Sequence, residues 1–202
     1  MTPESLFRRC ISIEYTHIEG AGSYAYEIIG DTLYIYFEKS NGLVDWKNNL
    51  DFPAKSYTGC GCFAHRGFLR VWKSLLPYIE DILQHKSFEG VVITGYSHGG
   101  ALAVLCHEHI WFNYPHLQCV LTGYGFGSPR VIWGILGKKR HRWDNFKIIR
   151  NENDIVTHLP PFLFGYRHVG TLIRIGKKGR YSLIDAHRQE NILFELGSTQ
   201  YF

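Results

Sequence analysis

The chain has 202 residues, 45% hydrophobic and 20% charged, with a formal net charge of +4. That length supports one domain with a real core, and so mild a positive charge gives no electrostatic case for nucleic-acid binding. No apolar run reaches the roughly 18 residues of a membrane span, Met1 to Arg9 lack the apolar core of a signal peptide, and five cysteines without framework spacing read as reduced thiols; the expectation is a single cytoplasmic domain.

In chain order, Asp31 to Glu38 (DTLYIYFE) has the aromatic and β-branched content of a strand. Leu43, Trp46 and Leu50 stand at i, i+3 and i+7, one face of a short amphipathic helix over Leu43 to Phe52, with Asp45, Lys47, Asn48 and Asn49 turned to water. Gly67 to Lys86 predicts a longer helix, because Phe68, Val71, Leu75, Ile79 and Ile82 recur at steps of three and four; Pro77 is a candidate kink. Val91-Val92-Ile93-Thr94 is a strand, and Gly100 to Leu105 reads as a buried helix. Cys119 to Tyr124, Phe146 to Ile149 and Thr171 to Ile175 are further strands. Alternation of this kind predicts a mainly parallel sheet with helices on both faces. The basic run Lys138 to Arg142 reads as a solvated loop, with a membrane-surface patch as the alternative.

Between the strand at Val91 and the helix after it stands Gly95-Tyr96-Ser97-His98-Gly99. A strand, a sharp turn and a helix with a serine at the turn is the setting of an activated nucleophile: glycines allow the tight turn, and the helix start offers backbone N–H groups. A serine nucleophile needs a base, and the base needs an orienting acid. On α/β-hydrolase folds these follow in the order serine, acid, histidine. Asp154, just after a predicted strand, is the best-placed acid; Asp144, Asp185 and Glu152 are rivals. His158, His168 and His187 follow it, and spacing does not choose among them. His107, Glu108 and His109 lack the i, i+4 pair of a zinc helix. Cys60, Cys62 and His65 lack a second ligand group, although the two cysteines could share a strand face, so no metal site is expected.

Gly95 to Ala103 resembles the G-H-S-L-G-G-A-x-A elbow of the class 3, fungal-lipase-like family of α/β-hydrolases, which includes triacylglycerol lipases and feruloyl esterases. Four further blocks match in order. Ala64 to Phe68 is similar to V-H-x-G-F, and Gly127 to Val131 to G-x-P-R-V. Asn151 to Pro161 is similar to N-x-x-D-x-V-P-x-L-P-P, and Gly165 to Gly170 to G-[FY]-x-H-x-G. The resemblance spans about Asp31 to His187, most of the chain.

That resemblance implies a minimal α/β-hydrolase fold and a catalytic triad of Ser97, Asp154 and His187, the last through Asp185-Ala186-His187; His168 becomes a supporting residue. It implies an oxyanion hole from the backbone N–H of His98 and from Ser40, because Phe37-Glu38-Lys39-Ser40 and Trp46 align with the family's F-R-G-[ST] loop and the tryptophan six residues later. Glu38-Lys39 in place of Arg-Gly, and His98 in place of leucine, depart from that pattern. Leu43 to Phe52 takes the place of a lid or short cover, and Leu43, Trp46, Phe162 and Phe164 are expected to line an acyl-binding groove. The implied activity is cleavage of carboxylic esters, acylglycerols or other lipid esters, with no cofactor, no nucleic-acid partner and transient contact with a lipid surface. A feruloyl-type esterase, thioesterase or acyltransferase, or a non-catalytic lipid- or partner-binding protein, is the alternative.

Overall fold

A computed structural model describes residues 1–20, 22–39, 51–58, 60–134 and 141–198. Ser40, Leu43, Trp46 and the rest of the expected cover up to Leu50 lie outside the described residues, as do Lys138 to Arg140.

The chain opens with helix α1 (Pro3–Ser12), capped by the Thr2 side chain, which accepts from the Ser5 N–H. Strands β1 (Thr16–Ile18), β2 (Gly22–Ile29) and β3 (Thr32–Phe37) follow as an antiparallel run. Strands β4 (Ala54–Tyr57) and β5 (Cys62–His65) form a hairpin leading into helix α2 (Arg66–His85). Then come β6 (Gly90–Tyr96), helix α3 (His98–Asn113), β7 (Leu121–Phe126), β8 (Ile132–Trp133) and β9 (Phe146–Asn151). The chain closes with β10 (Tyr166–Arg167), β11 (Thr171–Ile175) and helix α4 (Gln189–Ser198).

The main sheet has seven strands in the order β1-β2-β3-β6-β7-β9-β11. From β3 onward every pairing is parallel, as the alternation of strands and helices predicts. Burial shows why β3 is central: Leu33, Ile35 and Phe37 enter the core shared with α2 and α3, while Tyr34 and Tyr36 enter a second core with α1 and α4. A period of two thus supplies both faces of the sheet. A small antiparallel sheet, β10-β8-β5-β4, sits apart from the main one.

Several elements differ from expectation. The strand expected from Cys119 starts at Leu121, because Pro115 opens a 3-10 run through Val120. Helix α2 continues across Pro77. Cys62 begins β5, but Cys60 sits in the turn before it, so the two do not share a strand face; burial pushes the Cys60 thiol up to about 12. Arg142 is not solvated: it is 4% exposed, its Nη2 lies 2.8 Å from the buried Glu108 carboxylate of α3, and its guanidinium covers the Trp143 ring at 4.1 Å. A buried carboxylate requires such a partner. No helix among the described residues is long and apolar enough to cross a membrane.

Candidate active site

Ser97 sits between β6 and α3 with φ 57° and ψ −121°, and it is the one non-glycine residue with positive φ among the described residues. A backbone held there costs on the order of 1–3 kcal/mol and persists because its surroundings over-determine it. Those surroundings need bare glycines. A Cβ on Gly95 would meet the Gly99 carbonyl oxygen at 2.1 Å, and one on Gly99 would meet the Phe37 carbonyl oxygen at 2.1 Å. The crossing of β6, α3 and the end of β3 is therefore closed by backbone on backbone, and the serine is left facing outward. The Ser97 N–H donates to the Phe126 carbonyl at 2.8 Å, pinning the turn to β7.

Asp154 follows β9 in a turn closed by its own N–H on the Asn151 carbonyl at 2.8 Å, and it is fully buried. One carboxylate oxygen accepts from the Val156 N–H at 2.9 Å. The other accepts from His187 Nδ1 at 2.8 Å, and His187 Nε2 stands 2.9 Å from Ser97 Oγ. Since Nδ1 must donate to the carboxylate, Nε2 carries the lone pair that accepts the serine proton. Residues separated by 33 and 90 positions in sequence thus form one hydrogen-bonded line.

His187 closes the 3-10 turn Asp185–His187 and is held from three directions. The Tyr96 ring stacks on its imidazole at 5.1 Å, the Tyr96 hydroxyl donates to the His187 carbonyl, and Asn151 Nδ2 donates to the neighbouring Ala186 carbonyl at 3.0 Å. Tyr96 and Asn151 were not expected as part of the site. Tyr96 occupies a variable position of the serine pentapeptide, and nothing local marks it; Asn151 was visible only as the first letter of its block.

The rival residues are engaged elsewhere. His168 is half-buried, donates from Nε2 to the Thr157 carbonyl at 2.7 Å, and is pushed down to about 4 chiefly by desolvation, so it is a neutral strut. His158 donates from Nδ1 to the Asp154 backbone carbonyl at 3.0 Å and accepts from Arg150 Nη1 at 3.3 Å. Asp185 accepts from the Ser182 hydroxyl at 2.7 Å and pairs with Arg188. His98 is the first residue of α3, so its N–H belongs to the turn whose donors have no carbonyl four residues back. Its ring is buried with an edge-to-face contact to Phe68 at 5.4 Å.

Ser97 and His187 open into a cleft of about 460 Å³ walled by Phe52, Phe68, Ile155, Leu159, Pro160 and Ile184, with Lys39 and Arg188 among its lining. Phe162 and Phe164, expected as a wall, are not among the residues that line it. The turn Phe162–Phe164 carries them away to the small sheet: the Arg167 guanidinium covers the Phe162 ring at 3.3 Å, and the Phe164 carbonyl accepts from Trp133 Nε1 at 2.9 Å. Leu159 and Pro160, just upstream, take the place expected of them. Among the described residues no group of three or more His, Cys, Asp or Glu could hold a metal ion.

The family model for lipase (class 3) matches residues 34–164. A lipase from Rhizomucor miehei is 33% identical over 148 residues, covering 69% of this chain and 40% of that protein. A secreted mono- and diacylglycerol lipase from Fusarium solani is 29% identical over 133 residues, covering 61% of this chain and 38% of its own length. The chain therefore spans about 40% of the length of these curated relatives. A solved triacylglycerol lipase, described as having a serine protease triad as its catalytic centre, superposes with a TM-score of 0.67 at 28% identity, over 82% of this chain and 66% of that one.

Proposed function

The chain belongs to the class 3 lipase family, and from that premise we propose that it is a serine hydrolase of carboxylic esters, acting on acylglycerols or related lipid esters. One observation carries the reading: the line Ser97–His187–Asp154 at 2.9 and 2.8 Å, with its serine on a strained turn at the mouth of an apolar cleft.

On this reading Ser97 Oγ attacks the acyl carbonyl while His187 Nε2 takes its proton. Asp154 fixes the tautomer and stabilises the imidazolium that forms. The tetrahedral oxyanion receives the His98 N–H, and we assign the second donor to Ser40 from the resemblance of its loop. The imidazolium then protonates the departing alkoxide, and a water activated by the same nitrogen releases the acid. Acyl chains lie along Phe52, Phe68, Ile155 and Leu159. Ile184 and Leu163, 72% and 91% exposed, offer apolar contact to a lipid surface.

The test is covalent labelling by a fluorophosphonate alongside hydrolysis of a short-chain ester. Ser97→Ala is expected to abolish labelling and to lower kcat by about 10³-fold or more. A folded Ser97→Ala protein as active as wild type overturns the proposal.

A further inference from the structure

Ester hydrolysis by Ser97 and His187 turns on one transient charge. When His187 Nε2 takes the serine proton the imidazole becomes a cation, and it is neutral again once that proton passes to the departing oxygen. Both nitrogens are committed in the plane of the ring, Nδ1 to Asp154 at 2.8 Å and Nε2 to Ser97 Oγ at 2.9 Å. The faces of the ring remain for a further stabilising contact. Tyr96 makes one: its ring centroid lies 5.1 Å from that of the imidazole, with 27° between the planes. That is within the roughly 6 Å at which the negative face of an aromatic ring holds a cation.

Sequence and fold together fix Tyr96 in this place. It ends β6, paired with Phe126 of β7, and immediately precedes the nucleophile, so one short piece of backbone sets both the strained Ser97 turn and the tyrosine ring. The fully buried Phe7 of α1 supports the ring edge-on at 5.5 Å. The Tyr96 hydroxyl donates to the His187 carbonyl. Burial, then the negative charges of Asp154 and Glu190, push its pKa up, so the tyrosine stays neutral and keeps its proton to donate. At the Nδ1–Cε1 side of the imidazole stands Gly127, with φ 55°, where a Cβ would come within 2.9 Å of Cε1 and 3.0 Å of Nδ1. The imidazole is thus closely confined against the tyrosine face.

We propose that Tyr96 is a positioning residue acting through His187: its π face stabilises the imidazolium, while its hydroxyl aims the imidazole at Ser97. The proposal rests on the ester-hydrolase reading and adds to Asp154 a second source of charge stabilisation. The face contact strengthens only when the imidazole is protonated, so it lowers the barrier more than it tightens substrate binding. The same cation forms when the acyl group is placed on Ser97 and when water removes it, so kcat responds whichever step is slower.

The experiment compares wild type with Tyr96→Phe, with the same phenylalanine carrying one, two or three ring fluorines, and with Tyr96→Leu. Fluorine draws charge from the π face with little change of shape. Measured are kcat and KM for an acetate and an octanoate ester of one alcohol, the rate of fluorophosphonate labelling, and the melting temperature. Tyr96→Phe is expected to lose about threefold in kcat with the hydroxyl's hydrogen bond. Each fluorine is then expected to lower kcat further, to about tenfold below Tyr96→Phe at three, with KM little changed and labelling slowed in the same order. Tyr96→Leu is expected to fall at least as far as the most fluorinated variant. A kcat that stays flat across the fluorine series, or is equal in Tyr96→Leu and Tyr96→Phe, overturns the proposal and leaves the hydrolase reading standing. Tyr96 also lines the cleft, so a loss confined to the octanoate ester assigns its ring to acyl binding and overturns the proposal as well. Failure of wild type to hydrolyse either ester removes the hydrolase reading and this proposal with it.

Discussion

Two histidines away from the cleft, the fully buried His107 and the half-buried His168, predict that the fold is acid-labile. Neither nitrogen of His107 has a hydrogen-bond partner among the described residues; its ring stacks on Trp111 and meets Phe146 edge-on. Burial, with the nearby Arg142 charge, pushes it down from 6.5 to about 3, and burial pushes His168 down from 6.5 to about 4. Because both native values lie below the unfolded one, the stability they contribute is present above pH 6.5 and is lost as pH falls. Between pH 6.5 and 4, a span of 6.5 − 4 = 2.5, the unfolded imidazole gains its proton while the native one resists it. At about 1.36 kcal/mol per unit this gives about 3 kcal/mol for each histidine. Together they approach the whole stability of an ordinary domain, about 5–15 kcal/mol. The perturbation is His107→Phe, which keeps an aromatic ring between Trp111 and Phe146 and removes the titrating group. Urea unfolding at pH 7.5, 5 and 4 measures the effect. The variant is expected to lie within about 1.5 kcal/mol of wild type at pH 7.5 and to lose about 3 kcal/mol less on going to pH 4. Titrating carboxylates affect both proteins alike and cancel in the comparison. Equal acid losses in the two proteins refute the argument.

His187→Ala is expected to cut kcat by about 10³-fold or more in a folded protein; His168→Ala is expected to lower the melting temperature instead, and a folded, fully active His187→Ala moves the base elsewhere. Glu108→Gln leaves Arg142 buried without its counter-charge and is expected to cost about 3–5 kcal/mol in denaturant unfolding, whereas Glu108→Leu with Arg142→Met recovers most of it; a cost below about 1 kcal/mol for the single change means the pair is not buried in solution. Each added acyl methylene is expected to raise kcat/KM by up to about fourfold, from about 0.8 kcal/mol of burial, until the cleft is filled at short to medium chain length. Rates that stay flat or fall from acetate upward, with aromatic esters preferred, favour the feruloyl-type alternative.

The periodicity of β3 and of α2, and the glycines around Ser97, were legible in the sequence because they are local: a strand repeats every two residues, a helix every three to four, and a tight crossing admits no Cβ. The small sheet was not legible, since strands of two to four residues are too short to show a period. Charge pattern also misled at Arg142, where a basic run reads as solvated until the buried Glu108 facing it is known. Composition and order were enough to name a serine, an acid and three candidate histidines. Which histidine reaches the serine was not in the spacing; the family resemblance pointed to His187, and the geometry depends on Tyr96 and Asn151 gripping a turn far from both in sequence. Phe162 and Phe164 carry the apolar content of a groove wall, yet β8 and Arg167 draw them aside while Leu159 and Pro160 line the cleft. Local chemistry is written in neighbouring residues and can be read from them. The facing of a side chain across a loop is set by the partners that loop finds after folding, and only the tertiary structure supplies those.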